Sequence, residues 1–122
     1  MLNYIKNKIK WQLKKEKAEK ILAKLIEFLK EELDPEKIIL FGSRAKGKSV
    51  PYSDIDLAIV GSTKPPLRNL RKLKEKIEII SWPFFVDLIF LEEVDEEFKK
   101  LVMKTGRIVY EKNRSASKYK QT

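Results

Sequence analysis

The chain has 122 residues, of which 43% are hydrophobic and 37% are charged, so it can bury one modest core. It contains neither cysteine nor histidine. This excludes disulfide frameworks, thiolate zinc sites and every mechanism in which a histidine is the base or a metal ligand. Any metal must be held by oxygen atoms, the ligands that Mg²⁺ and Mn²⁺ prefer. The heavy use of lysine, glutamate and isoleucine is typical of hyperthermophile proteins.

The net charge of +9 is concentrated at the two ends of the chain. Residues 1–24 carry eight lysines against two glutamates, residues 113–122 carry three basic side chains, and the charges between them cancel. Basic ends favour contact with nucleic acid or an acidic partner, or serve only solubility. No apolar stretch approaches the ~20 residues of a membrane span and no signal peptide is evident, so we expect a cytoplasmic protein without membrane contact.

Apolar periodicity predicts helix over residues 2–33, where leucines and isoleucines recur every three or four positions. A five-residue step from Leu13 to Ala18 breaks this register, which leaves two helices or one long helix whose first half projects from the body. We therefore divide the chain into a basic helical extension at 1–17, a folded domain at 18–112 and a basic disordered tail at 113–122.

Short apolar runs and amphipathic segments alternate through the rest of the chain. Strands are predicted at 38–41, 54–60, 84–91 and 107–110, with a helix carrying an apolar stripe from Leu67 to Ile80 and another helix at 92–105. The link between the first two strands is too short for a parallel crossover, so they should be antiparallel. The second and third strands are joined through a helix, which permits parallel pairing. The predicted class is α/β (α+β): a small mixed sheet flanked by helices.

Two local expectations concern the helices of this domain. Ser62 or Thr63 is expected to cap the helix that follows the second strand. The inner face of the helix at 92–105 is expected to carry four apolar residues, namely Val94, Phe98, Leu101 and Val102.

Two carboxylates, Asp54 and Asp56, stand two residues apart at the start of the second predicted strand. Because side chains alternate across a strand, both lie on one face with Cβ atoms roughly 7 Å apart. That separation lets them share one metal ion or a pair. Ile55, Leu57 and Ile59 fall on the opposite face, where we expect them to pack in the core.

A third acid, Asp87, interrupts the most hydrophobic stretch of the chain, residues 84–90. A carboxylate buried there needs a partner, because burying an isolated charge is costly. If the third strand lies beside the second, Asp87 joins Asp54 and Asp56. Three carboxylates that close repel one another, and a divalent cation removes the repulsion. The three acids therefore predict a metal site.

A turn of small residues, Gly42 and Ser43, follows the first predicted strand. Glycine lets a phosphate approach the backbone closely, and exposed N–H groups with the Ser43 hydroxyl suit a polyphosphate. Arg44, Lys46 and Lys48 can offset its charge, although each taken alone is more typical of an ordinary surface charge. Each motif is commonplace by itself, but the turn and the acids in this order and spacing indicate nucleotidyl transfer.

The order is a Gly-Ser turn, ten residues, an Asp-x-Asp triplet and a later apolar-Asp-apolar triplet. These are Gly42-Ser43, Asp54-Ile55-Asp56 and Val86-Asp87-Leu88. This combination, over about residues 20–112, resembles the DNA polymerase β-type nucleotidyltransferase superfamily. The similarity is greatest to its small stand-alone members, the minimal nucleotidyltransferases, which are often encoded with HEPN-domain proteins as antitoxins. The resemblance implies the polymerase β-like nucleotidyltransferase fold, preceded here by a long basic N-terminal helix.

The resemblance also implies a two-metal mechanism with two Mg²⁺ ions, or Mn²⁺ in their place. The implied metal ligands and catalytic residues are Asp54, Asp56 and Asp87, of which Asp87 also helps to activate the acceptor hydroxyl. The implied nucleotide-binding residues are Gly42, Ser43 and Arg44. An acceptor oxygen would attack the α-phosphate of a nucleoside triphosphate and release pyrophosphate.

The expected function is Mg²⁺-dependent transfer of AMP from ATP to a hydroxyl, by family analogy a tyrosine of a HEPN-domain toxin, which would make the chain an antitoxin. One alternative is a catalytically silent antitoxin that acts by binding its toxin. Another is a nucleic-acid-binding module that uses the basic ends. The complete set of three acids favours the enzyme over the silent antitoxin. The basic helix before Ala18 is longer than expected for a minimal member and is a candidate docking element.

Overall fold

The structure, a computed structural model, describes residues 2–42, 44–45 and 54–112; within the first helix the side chains of residues 3–4 and 7–14 lie outside the description. The elements are α1 (Leu2–Leu33), β1 (Lys37–Phe41), β2 (Ile55–Val60), α2 (Leu67–Ser81), β3 (Val86–Phe90), α3 (Glu96–Thr105) and β4 (Arg107–Glu111). The predicted mixed α/β class is confirmed. No helix in these ranges is both long and apolar enough to cross a membrane. The tail predicted at 113–122 lies outside the described residues.

A four-stranded mixed sheet with the order β3-β2-β1-β4 forms the centre of the fold. β1 is antiparallel to β2 and to β4, and β2 is parallel to β3. Both predicted pairings are confirmed. Between β2 and β3 the chain forms α2, and this crossover returns the chain to the end of the sheet where a parallel strand must begin. β3 lies at one edge, next to the strand that carries Asp56.

α1 is one continuous helix, so the single long helix is the alternative observed. Its side chains enter the core from Ala18 onward, followed by Leu25 and Leu29, both of which are fully buried. At its start, Leu2 and Ile5 are exposed. The helix thus contributes its second half to the core, while the division of the chain at residue 17 stays a prediction.

Different helices pack on the two faces of the sheet. Ile55, Leu57 and Ile59 of β2 are buried in the larger core cluster, under α1 and α2, as predicted. Ala58 points the other way and packs in a smaller cluster with Val102 of α3. This alternation leaves the acids of β2 on the α3 face, at the end of the strand that α3 does not bury.

The prediction of one helix at 92–105 is wrong. Leu91–Glu93 forms a separate 3₁₀ turn, and α3 begins only at Glu96. Asp95 separates them: its backbone is extended, and its carboxylate accepts a hydrogen bond of 2.8 Å from the Phe98 N–H. Leu101, expected on the inner face, is 53% exposed, because Phe98 and Val102 occupy the face of the shorter helix that packs against the sheet.

The expected cap of α2 by Ser62 or Thr63 is also wrong. α2 starts at Leu67 after Pro66, without a side-chain cap, because consecutive prolines hold the preceding backbone extended. The Ser62 hydroxyl instead donates a 3.0 Å hydrogen bond to the Leu33 carbonyl. That contact ties the end of β2 to the end of α1.

We expect Asp95→Ala to lower the free energy of unfolding by about 1 kcal/mol, because α3 loses its only side-chain cap in the described structure. The change corresponds to a fall of about 4 °C in melting temperature, measurable by thermal denaturation. Glu97→Ala, an exposed acid in the same turn, is the control and should change stability by less than about 0.5 kcal/mol. Equal losses in the two variants would contradict the capping role.

Candidate active site

The turn after β1 packs directly against the start of β2. Gly42 has a φ of +75°, a backbone conformation that favours glycine. A Cβ atom at this position would collide with the Asp56 carboxylate. Glycine is therefore required by both the backbone angle and the closeness of the acid. Ser43, the other predicted residue of the turn, lies outside the described residues, as do Lys46 and Lys48.

Asp56 and Asp87 are register partners on the parallel strands β2 and β3. Such partners project to the same face of a sheet, on strands about 4.8 Å apart. Asp54 lies two residues before Asp56, which places it at the same end of that face by alternation. The structure thus brings the three acids to one face, where β2 and β3 begin.

The charges of these carboxylates are coupled. Burial raises the pKa of Asp56, and the negative charges of Asp87 and Asp54 raise it further, whereas the Arg44 guanidinium lowers it. Asp56 is half-buried, while Asp54 and Asp87 are exposed. The expectation that Asp87 is buried is wrong, because β3 is an edge strand and α3 does not cover its start.

Within residues 2–42, 44–45 and 54–112, no three acidic side chains are gathered closely enough to hold a metal ion as they stand. The negative charges of Asp87 and Asp54 raise the pKa of Asp56, and a divalent cation would offset this repulsion. The donors are all oxygen atoms, and they come from adjacent strands on an open face. Carboxylates of this kind suit a hard cation such as Mg²⁺. The chemistry of Asp54, Asp56 and Asp87 suits a divalent metal, and their role as its ligands stays a prediction.

Arg44 lies beside the acids with its guanidinium partly buried. Its Cζ atom is 5.3 Å from the centre of the Phe84 ring. Burial lowers its pKa, whereas Asp54 and Asp56 raise it. Arg44 therefore lies between an aromatic ring of the core and the acids of β2, and its charge partly offsets theirs. Its predicted contact with the nucleotide stays a prediction.

An aromatic pair that the motif pattern did not single out borders the site. Phe41 is the partner of Asp56 in the β1–β2 ladder. Its ring meets Phe98 of α3 edge-to-face, with 5.9 Å between centroids and 88° between planes. The contact anchors α3 on the face that carries the acids. The sequence predicts only that Phe41 belongs to the core. Its place beside Asp56 becomes evident from the pairing of β1 with β2.

Two other aromatic residues, Trp82 and Phe85, lie on the opposite side of the site. Both are about three-quarters exposed, and they line a groove together with Asp87. The apolar run that contains Phe85 predicted a buried strand. Its exposure could not be foreseen from hydrophobicity, because exposed and buried aromatic residues look alike in a sequence.

Comparison with known proteins bears directly on this site. Residues 23–115 match the protein family described as polymerase beta, nucleotidyltransferase. The chain belongs to this nucleotidyltransferase family. The resemblance inferred from the motifs is confirmed, and so are the fold and the class of enzyme. The matched segment contains the turn at Gly42 and all three acids.

This nucleotidyltransferase is 35% identical over 78 residues to a Haemophilus influenzae protein named "Probable protein adenylyltransferase MntA", covering 64% of the chain and 68% of the relative. A crystal structure of a toxin-antitoxin with AMP-PNP superposes with a TM-score of 0.62 at 24% identity, covering 76% and 75% of the two chains. A tri-AMPylated Shewanella oneidensis HEPN toxin in complex with MNT antitoxin gives a TM-score of 0.51 at 23% identity, covering 87% and 76%. The two structural matches show a shared fold.

Proposed function

We propose that this nucleotidyltransferase transfers AMP from ATP to a tyrosine hydroxyl of a HEPN-domain toxin and thereby acts as an antitoxin. The observation that carries the proposal is the Asp56–Asp87 register pair beside the Gly42 turn. The named activity of the 35% identical relative supports adenylyl transfer to protein. The fold shared with an MNT antitoxin bound to an AMPylated HEPN toxin supports the acceptor.

The site offers a place for the triphosphate between the end of β1 and the acids of β2. Gly42 brings the backbone of the turn close to the Asp56 carboxylate, so phosphates bound at the turn would lie beside the acids. Ser43 and Arg44 are the further residues that we expect to contact the phosphates. Mg²⁺, held by carboxylates of β2 and β3, would supply charge stabilisation to the attacking and leaving oxygens.

The reaction needs no nucleophile from the enzyme. The acceptor oxygen forms a bond to the α-phosphorus of ATP, while the bond from that phosphorus to the bridging oxygen breaks and pyrophosphate leaves. The hydroxyl proton passes to Asp87 or to water, since Asp87 is exposed to solvent. The proposed chemistry requires neither histidine nor cysteine, and the chain contains neither.

The test incubates the purified protein with α-labelled ATP, Mg²⁺ and a HEPN-domain protein from the same genome. We expect label on a tyrosine of that protein, and none with the Asp54→Asn/Asp56→Asn double variant. Mg²⁺ with ATP should also raise the melting temperature of the intact protein alone, since a ligand at a hundred times its Kd stabilises by about 2.7 kcal/mol. An unlabelled toxin that is still neutralised would instead favour the silent antitoxin.

A further inference from the structure

A groove with a volume of about 370 Å³ lies between α2 and β3. Ile77 and Ser81 of α2 form one wall, and Trp82 and Phe85 belong to the segment that leads into β3. Asp87 lines the same groove. The groove therefore reaches one residue of the candidate active site at the edge of the sheet.

The strand that borders the groove has backbone groups that pair with no other strand in the described part of the chain. Among the described strands, β3 pairs with β2 alone. The Ile55 N–H donates a 2.9 Å hydrogen bond to the Phe85 carbonyl, which sets the alternation of the parallel ladder. It follows that the N–H and C=O groups of Val86 and Leu88 are directed away from β2. An extended peptide can bind to such an edge through its main chain.

Two aromatic residues of the groove are largely exposed, whereas a third, Phe84, is buried. Trp82 is 75% exposed and Phe85 is 76% exposed. Exposed apolar side chains next to one another mark surfaces that bind a ligand or a partner. Since aromatic rings stabilise one another by stacking or edge contacts, another aromatic ring is a well-matched occupant.

The order of the strands decides which substrate faces the groove. The Gly42 turn lies at the end of β1, Asp56 lies on the central strand β2, and Asp87 lies on β3. An in-line displacement places the acceptor opposite the leaving pyrophosphate. With the phosphates at the β1 turn, the acceptor approaches from the β3 side, which is the side of the groove.

We propose that this groove binds the acceptor, a tyrosine-bearing segment of the partner protein. The segment lies along the free edge of β3, with its tyrosine ring against Trp82 and Phe85 and the hydroxyl directed to Asp87. This proposal rests on the adenylyl transfer proposed above and adds the residues that select the acceptor. The adenine base of ATP is the competing occupant, and the test below distinguishes the two.

The first test measures transfer of label from α-labelled ATP to a synthetic tyrosine pentapeptide, Gly-Gly-Tyr-Gly-Gly with blocked ends. Trp82→Ala and Phe85→Ala are expected to raise the KM for the peptide about tenfold, equivalent to ~1.4 kcal/mol, and to leave the KM for ATP unchanged. Trp82→Phe should recover most of the loss, because it keeps an aromatic ring. The matched control is Ile79→Ala, an exposed apolar residue of α2 outside the groove lining.

The second test measures binding without catalysis. Trp11→Phe leaves Trp82 as the sole tryptophan, because the chain contains two. Titration with the tyrosine peptide in the absence of ATP should change its fluorescence saturably. The matching serine peptide should produce no such change, and the response should be lost in the Phe85→Ala background.

The possible outcomes separate the two proposals. Saturable binding of the tyrosine peptide, with no label transferred to the HEPN-domain protein, keeps the groove proposal and overturns the proposed function. A rise in the KM for ATP alone assigns the groove to the base and overturns the groove proposal. Transfer that is insensitive to both alanine variants, or no saturable fluorescence change, overturns it as well, whatever the result for the toxin.

Discussion

Replacing Asp56 by asparagine is expected to abolish nucleotidyl transfer and, at the same time, to stabilise the protein without metal. Asp56 stands between Asp54 and Asp87 and is the most buried of the three, so a metal at this site depends on its charge. Losing several kcal/mol of charge stabilisation lowers the rate about a thousandfold, since each 1.36 kcal/mol is a factor of ten. The rate is measured by label transfer at saturating ATP.

The gain in stability follows from the raised pKa of Asp56. Its ordinary value is 3.8, and burial and the neighbouring acids raise it in the folded state. The folded protein therefore binds the proton more tightly than the unfolded chain. The contribution of Asp56 to the free energy of unfolding is thus greatest below pH 3.8 and is lost as the pH rises through the folded pKa. Asparagine carries no charge and avoids that loss at neutral pH.

We expect a gain below about 1 kcal/mol, because Asp56 is partly exposed and solvent screens its repulsion. It is measured by thermal denaturation in a chelator at neutral pH, and the gain should disappear as the pH approaches the ordinary value of an aspartate. Glu97→Gln, an exposed acid on α3, is the control and should change neither rate nor stability. A destabilised Asp56→Asn variant, or one that keeps its transfer rate, would contradict the assignment.

Gly42→Ala is expected to lower the transfer rate about a hundredfold, the scale on which catalysis responds to a displacement of about 1 Å. The new methyl group would occupy the position of the Asp56 carboxylate and displace it from the face that it shares with Asp87. The variant also places an alanine at a φ of +75°, which costs about 1–2 kcal/mol of stability. Label transfer measures the first effect, and thermal denaturation measures the second.

Gly61→Ala is a matched control for this variant. Gly61 also has a φ of +75°, and a Cβ there would collide with the Glu36 side chain, remote from the acids. The two variants should lose similar stability, but only Gly42→Ala should lose transfer. If both lose activity equally, the effect of Gly42 is on folding alone and its place in the site is wrong.

Much of the site could be predicted from local rules. Alternation along a strand is set by backbone geometry, so Asp54 and Asp56 had to share a face opposite Ile55 and Leu57. The lengths of the connections decided which strand pairs are antiparallel and which are parallel. These constraints act over a few residues or depend only on chain length, and so they can be read without coordinates.

The helix boundaries were less predictable, because competing local signals differ by fractions of a kcal/mol. The acidic residues after β3 are equally compatible with the first turn of a helix and with an N-cap residue that precedes a helix. The structure selects the cap at Asp95, since its carboxylate reaches the Phe98 N–H. At α2 the prolines dominate over the hydroxyls of Ser62 and Thr63, because they restrict the backbone directly.

The sequence by itself determined which groups this protein can use: acidic oxygen donors without histidine or cysteine, a glycine at the turn, and acids spaced to share a face. Only the tertiary structure decided that β3 is an edge strand, that Asp87 pairs with Asp56 while exposed, and that Trp82 and Phe85 stand open beside it. The reason is physical. Exposure depends on which elements pack over a residue, and that packing joins segments far apart in the chain.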